Sequence, residues 1–404
     1  MSRVSLAWDR PTRGGLRGLA LRGASGENRA PCESRGGDVA IKRIGVMTGG
    51  GDCPGLNPVI RAIVLAAHAR GWEVLGIEDA THGLIDLDYR SPHGNRTITV
   101  RDVVGILQRG GTILGTSNKS DPWNFVVEKD GEETTIDVSA TAVENYHKLG
   151  LDALISIGGD GSMKIAQKFC DLGLKIVGVP KTIDQDVAAT DTTFGFQTAV
   201  QCATDALDRL HDTAESHDRV MLLEVMGRDA GHIALHAALA GDAHICLIPE
   251  IPYRVAPLVE KIKSRKANGH PYSIVVVAEG ARTVAGEATY ADKVIGEMPK
   301  LFGAAQKVCL ALEPHLKLDV RSTTLGYLQR GGSPVQFDRI LGTRYGVAAV
   351  EAVEAGKFGR MVSLRNHEIT TVPIADAIER QRLVEPQGQL VHAARSVGIS
   401  FGDE

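Results

Sequence analysis

Aromatic residues make up only 4% of the 404 positions, so any core must be packed from aliphatic side chains. No apolar run approaches the roughly 18 residues of a membrane-spanning helix, and nothing in the sequence reads as a membrane anchor. An excess of positive charge is also missing: the formal net charge is −4, so no global field draws the chain to nucleic acid. The six cysteines (Cys32, Cys53, Cys170, Cys202, Cys246, Cys309) include no CxxC pair. That spacing argues against a zinc knuckle or a disulfide scaffold and suits a reducing cytoplasm. A GxxxxGK[ST] phosphate loop and the protein-kinase signature set are absent as well. What is abundant is glycine, with 46 residues that cluster where strands are expected to end. The remaining composition, 43% apolar and 23% charged, is that of an ordinary soluble globular protein, long enough for two or three domains.

Residues 1–40 differ from the rest. They are rich in Arg and Gly, carry no buried-strand pattern, and read as a disordered extension. Asp9, Glu27, Glu33 and Asp38 interrupt the basic face that an organelle transit peptide needs, so a bland extension or a mis-assigned start codon is the expectation. From residue 41 onward, strand and helix patterns alternate. Apolar runs at 43–47, 73–77, 153–157, 176–179, 220–224, 245–248 and 274–278 predict strands. Helical periodicity appears over 57–70 and 163–172, along the stripe Phe196, Ala199, Val200, Ala203, Leu207 and Leu210, and over 347–353 before Gly356. Such alternation implies an α/β fold with parallel sheets covered on both faces. Residues 85–100 and 119–138 read as loop-rich insertions.

Four motifs carry chemistry. Gly49-Gly50-Gly51-Asp52-Cys53-Pro54-Gly55 lies between a strand and a helix, where open α/β sheets bind ligands and where glycines let backbone N–H groups approach an anion. It serves equally well as a packing turn. Gly158-Gly159-Asp160-Gly161-Ser162 repeats the arrangement, with Ser162 placed to cap the helix. Asp160 is a carboxylate inside an anion site, an electrostatic conflict that Mg²⁺ resolves by taking one or two carboxylates together with phosphate oxygens. Pro180-Lys181-Thr182-Ile183-Asp184-Gln185-Asp186 follows another strand. Its paired carboxylates suit proton abstraction from an attacking hydroxyl, although taken alone it fits a solvated acidic turn better. Lastly, basic residues stand in polar or glycine-rich contexts: Arg219, Met226-Gly227-Arg228, Arg321 and Tyr327-Leu328-Gln329-Arg330-Gly331-Gly332-Ser333. With Glu279 after the run 274–278, they suggest a second phosphate site with a sugar-hydroxyl acceptor. His232 and His236 have the spacing of a metal pair, but apolar neighbours and the lack of a nearby carboxylate favour packed or surface histidines.

Taken in order, these motifs resemble the glycolytic phosphofructokinase family, from about residue 42 to about 380. The resemblance implies two Rossmann-like three-layer α/β/α domains with mostly parallel sheets and the active site in the cleft between them. A larger donor domain would span 41–195 plus about 329–385, and a smaller sugar-phosphate domain 196–328 plus about 386–404. The implied activity is transfer of the γ-phosphoryl of ATP, with Mg²⁺, to the 1-hydroxyl of fructose 6-phosphate. Gly51, Asn118, Lys119, Gly159, Asp160, Gly161 and Ser162 match the family's donor site, with Asp160 on the metal. Asp184 matches its catalytic base and Asp186 a second carboxylate near the metal. Thr182 lies beside the transferring phosphoryl, and Arg228 resembles the transition-state stabiliser. Ile183, Met226, Gly227, Glu279, Tyr327, Leu328, Gln329 and Arg330 match the sugar-phosphate site. Arg219 and Arg321 match arginines that reach a neighbouring subunit's 6-phosphate, which implies a homo-oligomer, tetramer or dimer, with shared sites.

Several positions depart from the well-known bacterial members, which have Gly at Lys181, Asn at Gln185, His at Tyr327 and an Arg-containing pair at Asn118-Lys119. Arg61 retains one effector-site arginine, but Leu65 replaces the next, so the usual ADP activation is not expected. Lys181 and Tyr327 resemble the branch that mixes ATP and pyrophosphate users. Pyrophosphate users carry Asp at Gly161, where a side chain would occupy the space of the nucleotide α-phosphate, so Gly161 implies ATP while Lys181 points the other way. Pyrophosphate-dependent transfer, or a related acceptor such as sedoheptulose 7-phosphate, are the alternatives.

Overall fold

A computed structural model of the chain describes residues 41–90, 94–129, 132–286 and 303–404. The extension expected over 1–40 lies outside the described residues. In chain order the strands are β1 (Arg43–Thr48), β2 (Glu73–Ile77), β3 (Arg96–Thr97), β4 (Phe125–Lys129), β5 (Glu132–Ile136), β6 (Ala153–Gly158), β7 (Ile176–Thr182), β8 (Phe194–Gly195), β9 (Val220–Val225), β10 (Ile245–Leu247), β11 (Ser273–Ala278), β12 (Val320–Thr324), β13 (Arg360–Arg365) and β14 (Glu368–Pro373).

The apolar runs become the interior strands of two sheets. An eight-stranded sheet has the order β14-β13-β7-β6-β1-β2-β3, with β8 added to β7. It is parallel from β13 to β2 and antiparallel at its two edges. A four-stranded sheet, β10-β11-β9-β12, is parallel throughout. Parallel strands place all their C-terminal ends on one edge, which is where ligands bind in such sheets. Gly49, Gly159 and Ile183 therefore emerge side by side from β1, β6 and β7. In the small sheet Met226, Glu279 and Leu325 emerge likewise from β9, β11 and β12.

Both sheets are covered on both faces. Helices Leu56–His68 and Gln336–Glu354 pack on one face of the large sheet, through residues such as Val59, Ile63, Tyr345 and Val350. Their approach is close: a Cβ on Gly346 would come 2.6 Å from the Val59 carbonyl oxygen, so only glycine fits. Helices Ser139–Lys148 and Asp160–Asp171 cover the other face with Ala142, Tyr146, Met163 and Phe169. In the small sheet, Phe196–His217 and His232–Ala240 lie on one side, and Val255–Ala267 and Ala304–Leu312 on the other. One apolar cluster runs without a break from Ile44 and Ile155 in the large sheet to Leu223 and Val276 in the small one. It is mainly aliphatic, as the scarcity of aromatics requires, and each fully buried Val, Leu or Ile contributes about 1.5–3 kcal/mol.

Some local expectations change. Residues 119–138 hold a hairpin, β4 with β5, rather than loop alone. The helix expected from 163 begins at Asp160, directly after Gly159, and the helix seen over 347–353 is the end of the longer Gln336–Glu354. Strands β12 and β14 and helix Val255–Ala267, which present exposed polar faces, were not legible as periodic patterns, and neither was β13, although Met361 to Leu364 are buried. The reading of His232 and His236 as packed side chains holds: the His232 ring contacts the Arg382 carbonyl at 3.2 Å, and that of His236 the His232 carbonyl at 2.8 Å. Burial pushes His232 down to about 4, so it stays neutral in the packing.

Candidate active site

The large-sheet edge is built from glycines and main-chain groups. Beyond β1, Gly49 N–H donates to the Ile157 carbonyl at 2.9 Å and Gly50 N–H to the Ser117 carbonyl at 3.1 Å. Ser162 does not cap its helix. Its side chain instead fills the space beside Gly49 and Gly158, where a Cβ on Gly49 would meet Ser162 Oγ at 2.7 Å. Two glycines thus make room for one hydroxyl and draw the start of helix Asp160–Asp171 against the loop after β1. The N-terminal turn of that helix presents unpaired N–H groups and the positive end of its dipole at this edge. A Cβ on Gly161 would meet nothing within 4 Å, so this position faces open space. Asp160 stands in the first turn, paired with Lys164 at 2.7 Å.

Beyond β7 the chain places three functional side chains in succession. Lys181 is buried, its ammonium donates to the Gly51 carbonyl, and burial pushes its pKa down. Thr182 Oγ accepts the Asp184 N–H at 3.0 Å, and its hydroxyl also hydrogen-bonds the Asp186 carboxylate. One hydroxyl therefore fixes the main chain at Asp184 and helps keep the Asp186 carboxylate charged. Between them Gln185 adopts φ +57°, and its Oε1 accepts a hydrogen bond from the Thr192 hydroxyl at 2.9 Å. Gln185, where the well-known bacterial members have Asn, is thus a buried tether. Asp184 is buried, and its Oδ1 has no hydrogen-bond partner among the described residues. Burial raises its pKa; Arg330, Arg228 and Lys181 oppose that rise and Glu279 adds to it. Asp186 is pushed up to about 6 by burial and by Asp184, with a smaller contribution from Asp160. These mutual influences place Asp160, Lys181, Asp184, Asp186, Arg228, Glu279 and Arg330 around one site. Ile183 is the exception in this segment: its side chain is fully buried in the core, leaving only its main chain at the edge.

The small-sheet edge is built from side chains that hold main-chain groups. Glu279 accepts the Gly227 N–H at 3.3 Å and the Arg228 N–H at 2.9 Å, which secures a loop whose Arg228 has φ +53°. Burial raises the pKa of Glu279, and those two N–H groups lower it. Gln329 is fully buried and its Oε1 accepts the Met226 N–H at 2.9 Å, so it supports the loop and is not an open sugar contact. Arg330 crosses to the other edge and donates to the Asp52 carbonyl at 3.1 Å. Its guanidinium lies over Gly51, where a Cβ would come 2.5 Å from Nη1.

Some expected residues stay outside this group. Arg219 and Arg321 both pair with Asp319, at 2.8 and 2.6 Å, at the start of β9 and β12. That is the opposite end from Arg228, about 20 Å away for a six-residue strand. Tyr327 and Leu328 turn outward, with 71% and 69% of their surfaces exposed. Asn118 lies near the first glycine loop, its Oδ1 4.0 Å from where a Gly50 side chain would begin, and Lys119 N–H donates to Ser117 Oγ at 3.1 Å.

A support of the donor edge was missed. Thr116 and Ser117 hold both the carbonyl and the N–H of Gly50, and the Thr48 hydroxyl donates to the Gly115 carbonyl at 2.6 Å. The run Gly110-Gly111-Thr112 with Gly115 was the available signal, since Gly111 and Gly115 both have φ +64°.

The chain is similar over 363 residues, at 51% identity, to a protein of Chloroflexus aggregans named ATP-dependent 6-phosphofructokinase, covering 90% of this chain and 98% of that one. It is 47% identical over 369 residues to ATP-dependent 6-phosphofructokinase 2 of Clostridium perfringens, covering 90% and 99%. Among solved structures, the phosphofructokinase of Saccharomyces cerevisiae superposes with a TM-score of 0.70 at 30% identity. That match covers 84% of this chain, which spans only 45% of the yeast chain. A pyrophosphate-dependent phosphofructokinase from Marinobacter aquaeolei shares the fold, with a TM-score of 0.69 at 21% identity and coverage of 89% and 88%. The family model described as Phosphofructokinase matches residues 43–353, and the chain belongs to that family.

Proposed function

We propose that the chain is an ATP-dependent 6-phosphofructokinase, transferring the γ-phosphoryl of ATP to the 1-hydroxyl of D-fructose 6-phosphate to give fructose 1,6-bisphosphate and ADP. The observation that carries this reading is Asp184: a buried carboxylate with an unpartnered oxygen, ringed by Lys181, Arg228 and Arg330. Such a group accepts the proton of an attacking hydroxyl, while the cations around it offset charge on the transferring phosphoryl. Arg228 is the stabiliser of that charge. The loop Met226-Gly227-Arg228 with Glu279 receives the sugar, and Arg330 receives its phosphate. Gly49 to Gly51 and the helix start at Asp160 receive the donor phosphates.

Mg²⁺ fits this edge. The described residues form no cluster of three His, Cys, Asp or Glu ligands, and Mg²⁺ is ordinarily held by one or two carboxylates with phosphate oxygens and water. Asp160, with Asp186 nearby, supplies those carboxylates, and the ion would offset the phosphate charge of the donor. The names of the relatives and the open space at Gly161 support ATP as that donor. Lys181 is engaged by the Gly51 carbonyl, which supports a role in shaping the donor loop.

Two further assignments belong to this reading. Arg219 and Arg321, remote from their own cleft, serve a neighbouring subunit of a homo-oligomer, a tetramer or a dimer. The donor domain comprises 41–195 plus about 329–385, and the sugar-phosphate domain 196–328 plus about 386–404. The return of Ser400 to β10, where its carbonyl accepts the Cys246 N–H at 2.9 Å, supports the last boundary.

The test is an assay of purified protein with Mg²⁺ and fructose 6-phosphate, offering ATP and pyrophosphate separately, with sedoheptulose 7-phosphate as a second acceptor. Activity with pyrophosphate alone, or with the seven-carbon acceptor alone, overturns the reading.

A further inference from the structure

The connection from β12 to helix Gln336–Glu354 is where the chain leaves the small sheet for the large one. It begins at Leu325, whose N–H donates to the Glu224 carbonyl of β9 at 3.1 Å. Near its end the Ser333 hydroxyl donates to the Gln108 carbonyl at 2.7 Å. Between these points two consecutive residues reach opposite ways. Gln329 holds the Met226 N–H just after β9, and Arg330 holds the Asp52 carbonyl just after β1.

Gln329 is an unusual choice for its place. Its neighbours Tyr327 and Leu328 are apolar and exposed, whereas the amide is fully buried. Burying an amide is unfavourable unless its hydrogen bonds are made. Met226 N–H is a donor, so only the amide oxygen can face it. The Gln329 Nε2 is thereby left buried without a partner. A side chain needed only to fill space would be apolar and would avoid that penalty. The amide is kept for its oxygen.

Among the described residues, two side chains hold the N–H groups of Met226, Gly227 and Arg228. Glu279 secures the N–H groups of Gly227 and Arg228 from β11, and Gln329 secures Met226 from the connection. Without Gln329, Glu279 still holds Gly227 and Arg228, and Glu250 holds Gly231 further along, but the Met226 end of the loop loses its side-chain anchor and can shift. We propose that Gln329 is a positioning residue, forming with Arg330 a two-residue clasp that sets the acceptor loop against the donor loop. This rests on the reading that Met226-Gly227-Arg228 receives the sugar phosphate. Because Arg228 is on the same loop, the clasp governs both acceptor binding and turnover, and misplacement by about 1 Å is enough to cost about a hundredfold in rate.

Three variants test the clasp: Gln329→Met, nearly isosteric but lacking the acceptor; Gln329→Asn, polar but too short to reach Met226; and Gln329→Glu, which keeps an oxygen in place. The measurements are fructose 6-phosphate affinity by calorimetry, kcat, KM for each substrate, and thermal midpoint. The Met and Asn variants should weaken fructose 6-phosphate binding about tenfold, the scale of one lost hydrogen bond. They should also lower kcat while leaving the KM for ATP within about twofold, and Gln329→Glu should recover most of the loss. A lower thermal midpoint with wild-type kinetics makes Gln329 a packing residue and overturns the proposal. So does an equal rise in both KM values, or a folded Glu variant no better than Met. If the wild-type protein does not phosphorylate fructose 6-phosphate, the functional reading fails. If it does and the variants are kinetically silent, only the clasp fails.

Discussion

The two sheet edges that make up the site are built by opposite means. At the large-sheet edge the surface is space and main chain, glycines and a helix start, with the buried carboxylates Asp184 and Asp186 beside them and Asp160 in the helix's first turn. At the small-sheet edge the working groups are cations, and buried polar side chains, Glu279 and Gln329, hold the loop that carries Arg228. A donor of high negative charge needs room and N–H groups, whereas an acceptor needs its reacting hydroxyl aimed. The first edge should therefore fail when atoms are added, and the second when a tether is removed.

Removing the base at the large edge should have the largest effect. Asp184→Asn is expected to cut turnover by about 10²–10⁴, the range for general base catalysis, with fructose 6-phosphate binding retained. Stability should move the other way. Burial raises the Asp184 pKa, so the wild-type protein is most stable with this group protonated and loses that stability as pH rises through the raised value. The Asn variant should consequently show an equal or higher thermal midpoint near neutral pH, and no such gain below the ordinary carboxylate range. Near-normal turnover would remove Asp184 from the chemistry.

Next comes crowding of the same edge. Gly161→Asp puts a carboxylate into space that is empty in this fold. Like charges about 4 Å apart repel by roughly 1 kcal/mol in water and several in a partly desolvated site, so kcat/KM for ATP should fall by about a hundredfold or more. Pyrophosphate escapes both clash and repulsion, and a gain in its use should disappear again in the double variant with Lys181→Gly. Undiminished ATP use would show that this edge does not work by leaving space.

A smaller effect is expected at the far end of the small sheet. Arg219→Ala and Arg321→Ala should each raise the KM for fructose 6-phosphate about tenfold, the scale of a lost charged hydrogen bond. Mixing Arg219→Ala subunits with Asp184→Asn subunits should restore part of the activity through hybrid sites. Demonstrated mixed oligomers with no restored activity would confine each site to one chain.

The smallest effect is electrostatic coupling between the edges. Glu279→Gln keeps an oxygen for the Gly227 and Arg228 N–H groups but removes a negative charge that raises Asp184. With Asp184 as the proposed base, activity should fall as pH drops through its pKa, and lowering that pKa should move the acidic limb of kcat/KM to lower pH. Substrate phosphates titrate alike in both enzymes, so the difference between the two profiles belongs to the protein. An unmoved limb would mean that the edges are electrostatically independent.

Both edges were legible only in part. Glycine-rich turns after apolar runs identified the donor edge, because strand ends and tight turns are encoded locally. At both edges the residue types were recognised but some roles were not. Gln329 and Ile183 read as substrate contacts, yet one is a buried tether and the other part of the core. Ser162 read as a cap but packs against two glycines, because the helix begins earlier than its periodicity indicated.

Local patterning of the chain was sufficient for the α/β class, the parallel strands, the order of the motifs and the chemistry of the residues on them. The fold alone decided which of those residues meet. Arg330 reaches Asp52 across 278 positions and Lys181 reaches Gly51 across 130. Arg219 and Arg321 share Asp319 at the end of the small sheet away from Arg228. Periodicity reports which side of a strand or helix is buried, since burial repeats with the element's own geometry. It carries no information about the partner that buries it, because that partner is supplied by the crossing of distant segments, and only their packing brings a carbonyl within reach of a particular ammonium or guanidinium.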